Sequence, residues 1–499
     1  MYNAVVNELI GSLGLIKPEL ALLVTFVVVI IADLIFKNNK VNLGLSILGT
    51  IVSGIFLIGM SGTNTSAFAN LIAVDPFSEF FKYLILISTL IVLVMSEFSE
   101  ELHNRDVWMG EYYMLVLGMA LGMFLLAGAT NLIMIYLALE TMSMSSYILS
   151  GYTKEIKRSS EASLKYVIFG SLSSGIMIYG MSILFGMTGS LDLYAIQSYL
   201  AANGFFQPAI FISGLMVIAG FAYKISAVPF HFWTPDVYEG SPITITAYLS
   251  VASKAAGFAV LVRFIKLTFF DAAGSSDESW IMMNSIPWDM VLAVLAVATM
   301  TLGNIVALWQ SNVKRMLAYS SIAHAGYLLM GIVVMTNTGL MSILVYFFFY
   351  LLMNFGAFIV VMLFAHKIGS EEMDDYEGIG YQAPVLASLL TLFLVSLTGL
   401  PPTAGFIGKL VLFGAVLDSG WYWLAVIGVL NSVVSLYYYA KVVRNMWLRK
   451  VDNGKGTLKF SIQSQALVMV LGIPTLVFGL FFGPIMRWAE HSVRIFLGN

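Results

Sequence analysis

Cysteine is absent from the sequence and charge is scarce: only 11% of its 499 residues are Asp, Glu, Lys or Arg. Without cysteine the chain can form no disulfide and offers no thiolate to an iron–sulfur cluster. So little charge excludes the soluble globular class, in which about a quarter of residues are charged. The five histidines, His103, His231, His324, His366 and His491, show no HxxxH or CxxCH spacing for a metal or haem. No GxxxxGK[ST] loop and no GxGxxG between a strand and a helix occurs, which argues against an ATP-driven pump. No cofactor is therefore expected in this chain. Met1 to Ile16 carries one acid and no base, so the first apolar segment reads as a retained span rather than a cleaved signal.

What the sequence has in abundance is apolar surface: 59% hydrophobic residues and a mean hydropathy of +0.89. Apolar runs of roughly 17–25 residues number about fourteen. Those that matter most below are 129–150, 208–233, 242–268, 314–335, 384–417 and 463–487. The chain reads as an all-α polytopic membrane protein. With an even number of spans both termini share a side. Six basic residues then fall at one set of ends: Lys17, Lys82, Arg263, Lys266, Arg487 and Arg494. Sixteen fall at the other, among them Arg105, Lys154, Lys314, Arg315, Lys450 and Lys455. The positive-inside rule places the sixteen in the cytoplasm and both termini outside.

Four charges break the apolar runs. Lys224, Lys254 and Lys409 lie inside long spans, and Glu140 sits in NLIMIYLALETMSMSSYIL. Lys254 is about a dozen residues from either end of its run, which at 1.5 Å per residue is roughly 18 Å deep. A lysine near the bilayer centre costs about 2.5–3.5 kcal/mol on insertion scales, and such groups typically mark ion or proton pathways.

The chain also repeats itself. AGFAYK at 219–224 recurs as AGFIGK at 404–409, 185 residues later, and YILSG at 147–151 recurs as YLLMG at 327–331, 180 later. The shared offset predicts two five-helix units. Because each holds an odd number of helices, the second enters the membrane from the opposite side, as an inverted repeat. The expected organisation is three N-terminal helices (1–110), a first repeat (111–270), a second repeat (271–455) and a C-terminal transmembrane helix (456–499). Pro229, Pro235 and Pro242 follow Lys224, and Gly399, Pro401 and Pro402 precede Lys409. Proline opens the helical ladder, so each repeat is expected to hold one broken helix beside a buried lysine. At membrane depth such a break must be buried in protein or line a wet cavity.

Burial disfavours a charged amine and a nearby carboxylate favours it, so Glu140 and Lys224 form either a movable switch or a static ion pair. Lys254 has no acid in its own span and reads as a relay group. Lys409 holds the Lys224 position of the second repeat, whereas the counterpart of Glu140 is Ser320. That asymmetry suits a directional path. His231, near the cytoplasmic end of its span, and His324, among small and hydroxyl residues, are further proton-transfer candidates. A lone histidine in an apolar helix is more often a packing residue. Arg263, Lys266, Lys314 and Arg315 read as interface anchors, and the five acids of Lys367–Tyr381 as a solvated turn.

Three runs carry a family resemblance: FAYKISAVPFHFWTPDVYEGSPITITAYLSVASKAAGF, NVKRMLAYSSIAHAGYLLMG and LTGLPPTAGFIGKLVLF. They resemble the N-type antiporter-like subunits of bacterial NADH–quinone oxidoreductase, over about residues 80–450. FHFWTPDVYEGSP is the N-type version of a motif that other antiporter-like relatives write closer to WLPDAH. The resemblance implies that Glu140, Lys224, Lys254 and Lys409 are the family's functional glutamate, central, connecting and terminal lysines. It implies proton conduction from cytoplasm to periplasm, driven by quinone reduction elsewhere in the complex. FMN, iron–sulfur clusters, NADH and quinone would then belong to partner subunits, and other membrane-arm subunits would be the neighbours. An Mrp-type cation/proton antiporter subunit and the membrane subunit of a related hydrogenase complex are the alternative readings.

Overall fold

A computed structural model describes residues 9–103, 108–203, 206–271, 280, 281, 283, 286–449 and 456–498. Arg105, Lys450 and Lys455 of the basic set lie outside the described residues. Among the described residues, thirteen helices are long and apolar enough to cross a membrane. In the N-terminal part these are Lys17–Phe36 (α1), Asn39–Gly59 (α2), Pro76–Glu97 (α3), Met109–Gly128 (α4), Leu132–Ser150 (α5) and Lys157–Thr188 (α6). A peripheral helix, Leu193–Asn203 (α7), precedes Gln207–Ile225 (α8) and the short Trp233–Gly240 (α9). Ile243–Phe269 (α10), Trp288–Leu308 (α11), Val313–Val333 (α12) and Asn337–Ile368 (α13) follow. The expected span 384–417 is two half-length helices, Pro384–Thr398 (α14) and Ala404–Asp418 (α15). Tyr422–Leu448 (α16) and Ile462–Leu480 (α17) complete the spans. The C-terminal span is thus shorter than expected and is followed by a separate amphipathic helix, Gly483–His491 (α18).

Both breaks fall where the prolines stand. Helix α8 stops at Ser226, whose φ of 64° is left-handed, and the next helix begins only at Trp233. Helix α14 stops at Gly399, φ +86°, and Pro401 and Pro402 occupy the gap before α15. A third irregularity was not foreseen. Helix α10 contains a π-turn over Leu249–Ser253, immediately before Lys254. Single π-turns inside α-helices recur at functional sites.

Burial sorts the helices into layers. The most apolar window of α10 is 100% buried and those of α12 and α13 are 94% buried, against 28% for α1 and 33% for α2, α6 and α17. A helix apolar all round and buried all round is a core helix. The two that carry Lys254 and His324 are therefore at the centre.

The two ends of the bundle close differently. One end holds a hairpin, Thr65–Ala67 (β1) against Ile72–Val74 (β2), which bridges to Ala129, and the neighbouring Asn131 bridges to Asp192. The other end holds the turn 369–382, which bridges Asn312 to Glu372 and bonds the Gly378 amide to the Asn445 carbonyl. The acids of that turn are not simply solvated. Glu371 pairs with Lys314 at 3.4 Å, Glu377 and Asp374 pair with Arg449, and Met373 and Tyr376 are buried beneath them.

Several basic residues are not the interface anchors they were expected to be. Arg263 is fully buried, with Nη1 and Nη2 on the two carboxylate oxygens of Asp75 at 2.8 and 2.9 Å. A guanidinium in the protein interior needs such a two-pronged partner, because desolvating it alone is costly. Lys82 forms an equally buried pair with Glu19 at 2.7 Å. Lys266 sits 4.1 Å from the Trp280 ring centre. Lys314 is buried and donates to the Ser241 carbonyl at 2.6 Å. Arg315 is half-buried and holds Asp236 and Glu239 of α9 at 2.8 and 2.5 Å.

Candidate functional site: a buried polar chain

Lys224 lies in the last turn of α8, one residue before the break, so the lost ladder leaves its surroundings free for side-chain partners. Its ammonium donates to the hydroxyls of Ser143 on α5 and Tyr166 on α6, both at 3.1 Å. The Tyr166 ring is stacked on Trp233 of α9 at 4.3 Å and 11°. Trp233 in turn donates its indole N–H to the Tyr223 carbonyl at 3.0 Å. The aromatic packing thus ties the lysine to both halves of the broken span.

Glu140 is not in direct ion pairing with Lys224. It accepts a hydrogen bond from Ser174 of α6, is half-buried, and shares a face of α5 with the exposed Leu137 and Met144. The three-residue step from Glu140 to Ser143 is less than one helical turn, which brings Ser143 between the two charges. The expected pair is therefore spaced apart, and its members interact through the electrostatic field rather than by contact.

Helix α10 passes close to Lys224 at Gly257, where an added Cβ would stand 2.7 Å from the Ile225 side chain and 3.6 Å from the Lys224 Cβ. Lys254 is one turn earlier on the same helix. Its ammonium is buried and donates to the carbonyl and hydroxyl of Ser321 on α12, at 2.7 and 3.0 Å. Beside it Asn354 of α13 donates to Ser250 in the π-turn at 2.6 Å.

Helix α12 carries the chain onward at steps of three residues, which lie on one face. Ser321 holds Lys254. His324 follows, with Nδ1 2.7 Å from the Tyr346 hydroxyl and Nε2 3.3 Å from that of Tyr439. Tyr439 also bonds Ser320. Tyr327 comes next, and its ring centre is 4.7 Å from the ammonium of Lys409. Lys409 donates to the Thr398 carbonyl, at the break, and to the Ser432 hydroxyl at 2.7 and 2.8 Å. Gly399 is required here. Its φ is left-handed, and any Cβ would fall 2.6 Å from Lys409 Cδ.

Of the six sequence candidates, Lys224, Lys254, His324 and Lys409 are all buried, Lys254, His324 and Lys409 in contacts around α12 and Lys224 beside Ser143 and Tyr166, with Glu140 half-exposed on α5. His231 is buried with its ring 4.5 Å from that of Phe232, and the hydrogen bonds described above do not include it. Sequence reasoning missed the hydroxyl partners Ser143, Tyr166, Ser321, Ser432 and Tyr439. For Ser143 and Ser321 the signal was present as hydroxyl residues clustered within the apolar runs SMSSY and AYSSIAH; Tyr166, Ser432 and Tyr439 lie outside both runs. Among the described residues no group of three or more His, Asp or Glu is placed to hold a metal ion.

Residues 129–435 match the sequence model of the family described as NADH:quinone oxidoreductase/Mrp antiporter, transmembrane. The match spans Glu140 through Ser432, and Tyr439 lies just beyond it. The chain belongs to this family. NADH-quinone oxidoreductase subunit N 2 of Chloroherpeton thalassium is 48% identical, over 98% of this chain and 97% of that protein. NADH-quinone oxidoreductase subunit N of Chlorobium chlorochromatii is 45% identical, over 99% of this chain and 97% of that one. A chain of respiratory complex I from Thermus thermophilus, solved with bound aureothin, superposes with a TM-score of 0.78 at 29% identity. It covers 94% of this chain and 99% of its own. This antiporter-like family member is accordingly a multi-pass membrane protein of the complex I type.

Proposed function

We propose that the chain is the antiporter-like, proton-translocating membrane-arm subunit of NADH–quinone oxidoreductase, coupling quinone reduction in partner subunits to proton transfer across a bacterial inner membrane. Near full-length identity to proteins named subunit N supports the assignment. The observation that carries the mechanism is the run Ser321–His324–Tyr327 on α12, which bridges Lys254 to Lys409. In this reading Glu140 and Lys224 form the input. A shift in the field at Glu140 changes how firmly Lys224 holds its proton, and Ser143 and Tyr166 fix the lysine while that happens. The proton passes to Lys254, through His324 with its tyrosines, and leaves from Lys409. NADH, FMN, iron–sulfur clusters and quinone are assigned to partner subunits, and both termini to the periplasm.

The two-repeat organisation, 111–270 and 271–455, belongs to the same proposal. Supporting it, the helix pairings recur: α4 packs on α5 as α11 does on α12, and α6 packs on α8 and α9 as α13 does on α14 and α15. A tagged chain purified in mild detergent should carry FMN, iron–sulfur signals and NADH–quinone activity. Lys224→Met and Glu140→Gln should each lower NADH-driven acidification in everted vesicles severalfold. Wild-type activity and wild-type pumping in both variants would sink the mechanism. A flavin-free assembly with Na⁺-dependent transport would replace it with the Mrp-type reading.

A further inference from the structure

An open cleft of about 430 Å³ lies between α14 and α16 on the lateral surface of the bundle. Leu394 and Val395 of α14 form one wall, and Leu436 and Val443 of α16 the other. From Leu436 to Leu448 is twelve residues, so the cleft follows α16 for roughly 18 Å, more than half the hydrocarbon thickness of ~30 Å. Thr398 and Tyr439 form part of its floor. Its shallow end, near the last turns of α16, carries Lys441 and Arg444, and no acidic residue lines it. Arg444 is exposed and makes no hydrogen bond or ion pair with any described residue. Lys441 makes one, to the Gln310 carbonyl at 3.3 Å, which leaves two of its three donors free.

We propose that this cleft binds one phospholipid with an anionic headgroup, its acyl chain along α16 and its phosphate between Lys441 and Arg444. Each part of the site selects a different part of that molecule. The apolar walls are continuous with the bilayer core and match a hydrocarbon chain, which neither free phosphate nor a soluble anion possesses. Lys441 and Arg444 lie four to seven residues from the end of α16, so their stems run along the cleft while their charged ends rise to headgroup level. Basic residues between transmembrane helices are suited to anionic headgroups. The floor gives the site a functional consequence. The Thr398 carbonyl receives the Lys409 ammonium and the Tyr439 hydroxyl faces His324. A bound acyl chain therefore covers Thr398 and Tyr439, the two lining residues that touch Lys409 and His324. The inference rests on the cleft and holds whether or not the route conducts protons.

The test uses the whole tagged complex, reconstituted in phosphatidylcholine nanodiscs. Trace phosphatidylglycerol or phosphatidylcholine carrying a photoreactive group on its acyl chain is then added. Cross-links from the phosphatidylglycerol probe should map to peptides containing 394–398 and 436–443. Arg444→Gln is exposed and safe for folding; it should cut that labelling about fivefold, and Lys441→Gln with Arg444→Gln should cut it further. Millimolar inorganic phosphate should not compete. Equal labelling by the phosphatidylcholine probe would reduce the site to unselective bilayer contact and overturn the proposal. So would labelling unchanged by the two substitutions, displacement by free phosphate, or a neighbouring subunit occupying the cleft in place of lipid.

Discussion

The ammonium of Lys254 rests on the carbonyl and hydroxyl of Ser321, 2.7 and 3.0 Å away. That contact joins helix α10, on the Glu140 side of the molecule, to helix α12, whose next two turns lead to Lys409. Because the carbonyl takes the shorter bond, Ser321→Ala leaves Lys254 one acceptor. Hydrogen bonds to charged groups are worth about 1.5–3 kcal/mol. NADH-driven acidification by Ser321→Ala vesicles is expected to fall roughly ten- to a hundredfold, whereas Lys254→Met should abolish it. Equal rates in the two variants would remove Ser321 from the route.

His324→Phe keeps an aromatic ring of similar size and deletes the bonds to Tyr346 and Tyr439. If the histidine passes protons, pumping should drop several-fold while the assembled complex stays at wild-type abundance on a native gel. Wild-type pumping by His324→Phe would return the residue to the packing role that most membrane-buried histidines have.

Gly399→Ala tests position without touching charge. A left-handed φ of +86° costs a non-glycine residue about 1–2 kcal/mol, and the new Cβ would fall 2.6 Å from the Lys409 stem. Lys409 must move off the Thr398 carbonyl. The expected result is a pumping loss approaching that of Lys409→Met, with Lys409 itself intact. A normal rate would mean that the exact placement of this ammonium is unimportant.

Tyr166→Phe removes the hydroxyl that Lys224 donates to and keeps the ring stacked on Trp233. Ser143 still accepts. A reduction of a few-fold in coupled activity is expected, measured as NADH–quinone turnover in native membranes, with the larger loss reserved for Ser143→Ala combined with Tyr166→Phe. Unchanged turnover in the double variant would show that these hydroxyls do not set the behaviour of Lys224.

Asp75 and Arg263 make a purely structural prediction. Removing one partner of a buried ion pair costs about 3–5 kcal/mol, so Asp75→Ala should lower the thermal stability of the assembled complex sharply. Asp75 stands just ahead of the first residue of α3, where it also accepts from the Ser78 and Phe496 amides. Burial by itself would raise its pKa, but the facing Arg263 and these amides hold it below the ordinary carboxylate value. The pair's contribution should accordingly be complete above about pH 4 and be lost as pH falls below it. A melting temperature equally acid-sensitive in Asp75→Asn would exclude this pair as the source.

The membrane class and the candidate residues were readable from the order of amino acids alone. Apolar run length follows from bilayer thickness, so the spans were legible, including the two that break at Pro229 and at Pro401–Pro402. A charge in such a run is costly enough to stand out, which is why Lys224, Lys254, Lys409 and Glu140 could be named. Partnership was another matter. Arg263 looked like an anchor because its partner Asp75 lies 188 residues away, and nothing in the order of residues joins Lys82 to Glu19 on a different helix. Nor could sequence place Ser143 and Tyr166 at the Lys224 ammonium and leave Glu140 at arm's length. A helix shows its own periodicity in one dimension. Which of its faces meets which neighbour depends on packing among helices that are all apolar, and only the tertiary structure decides that.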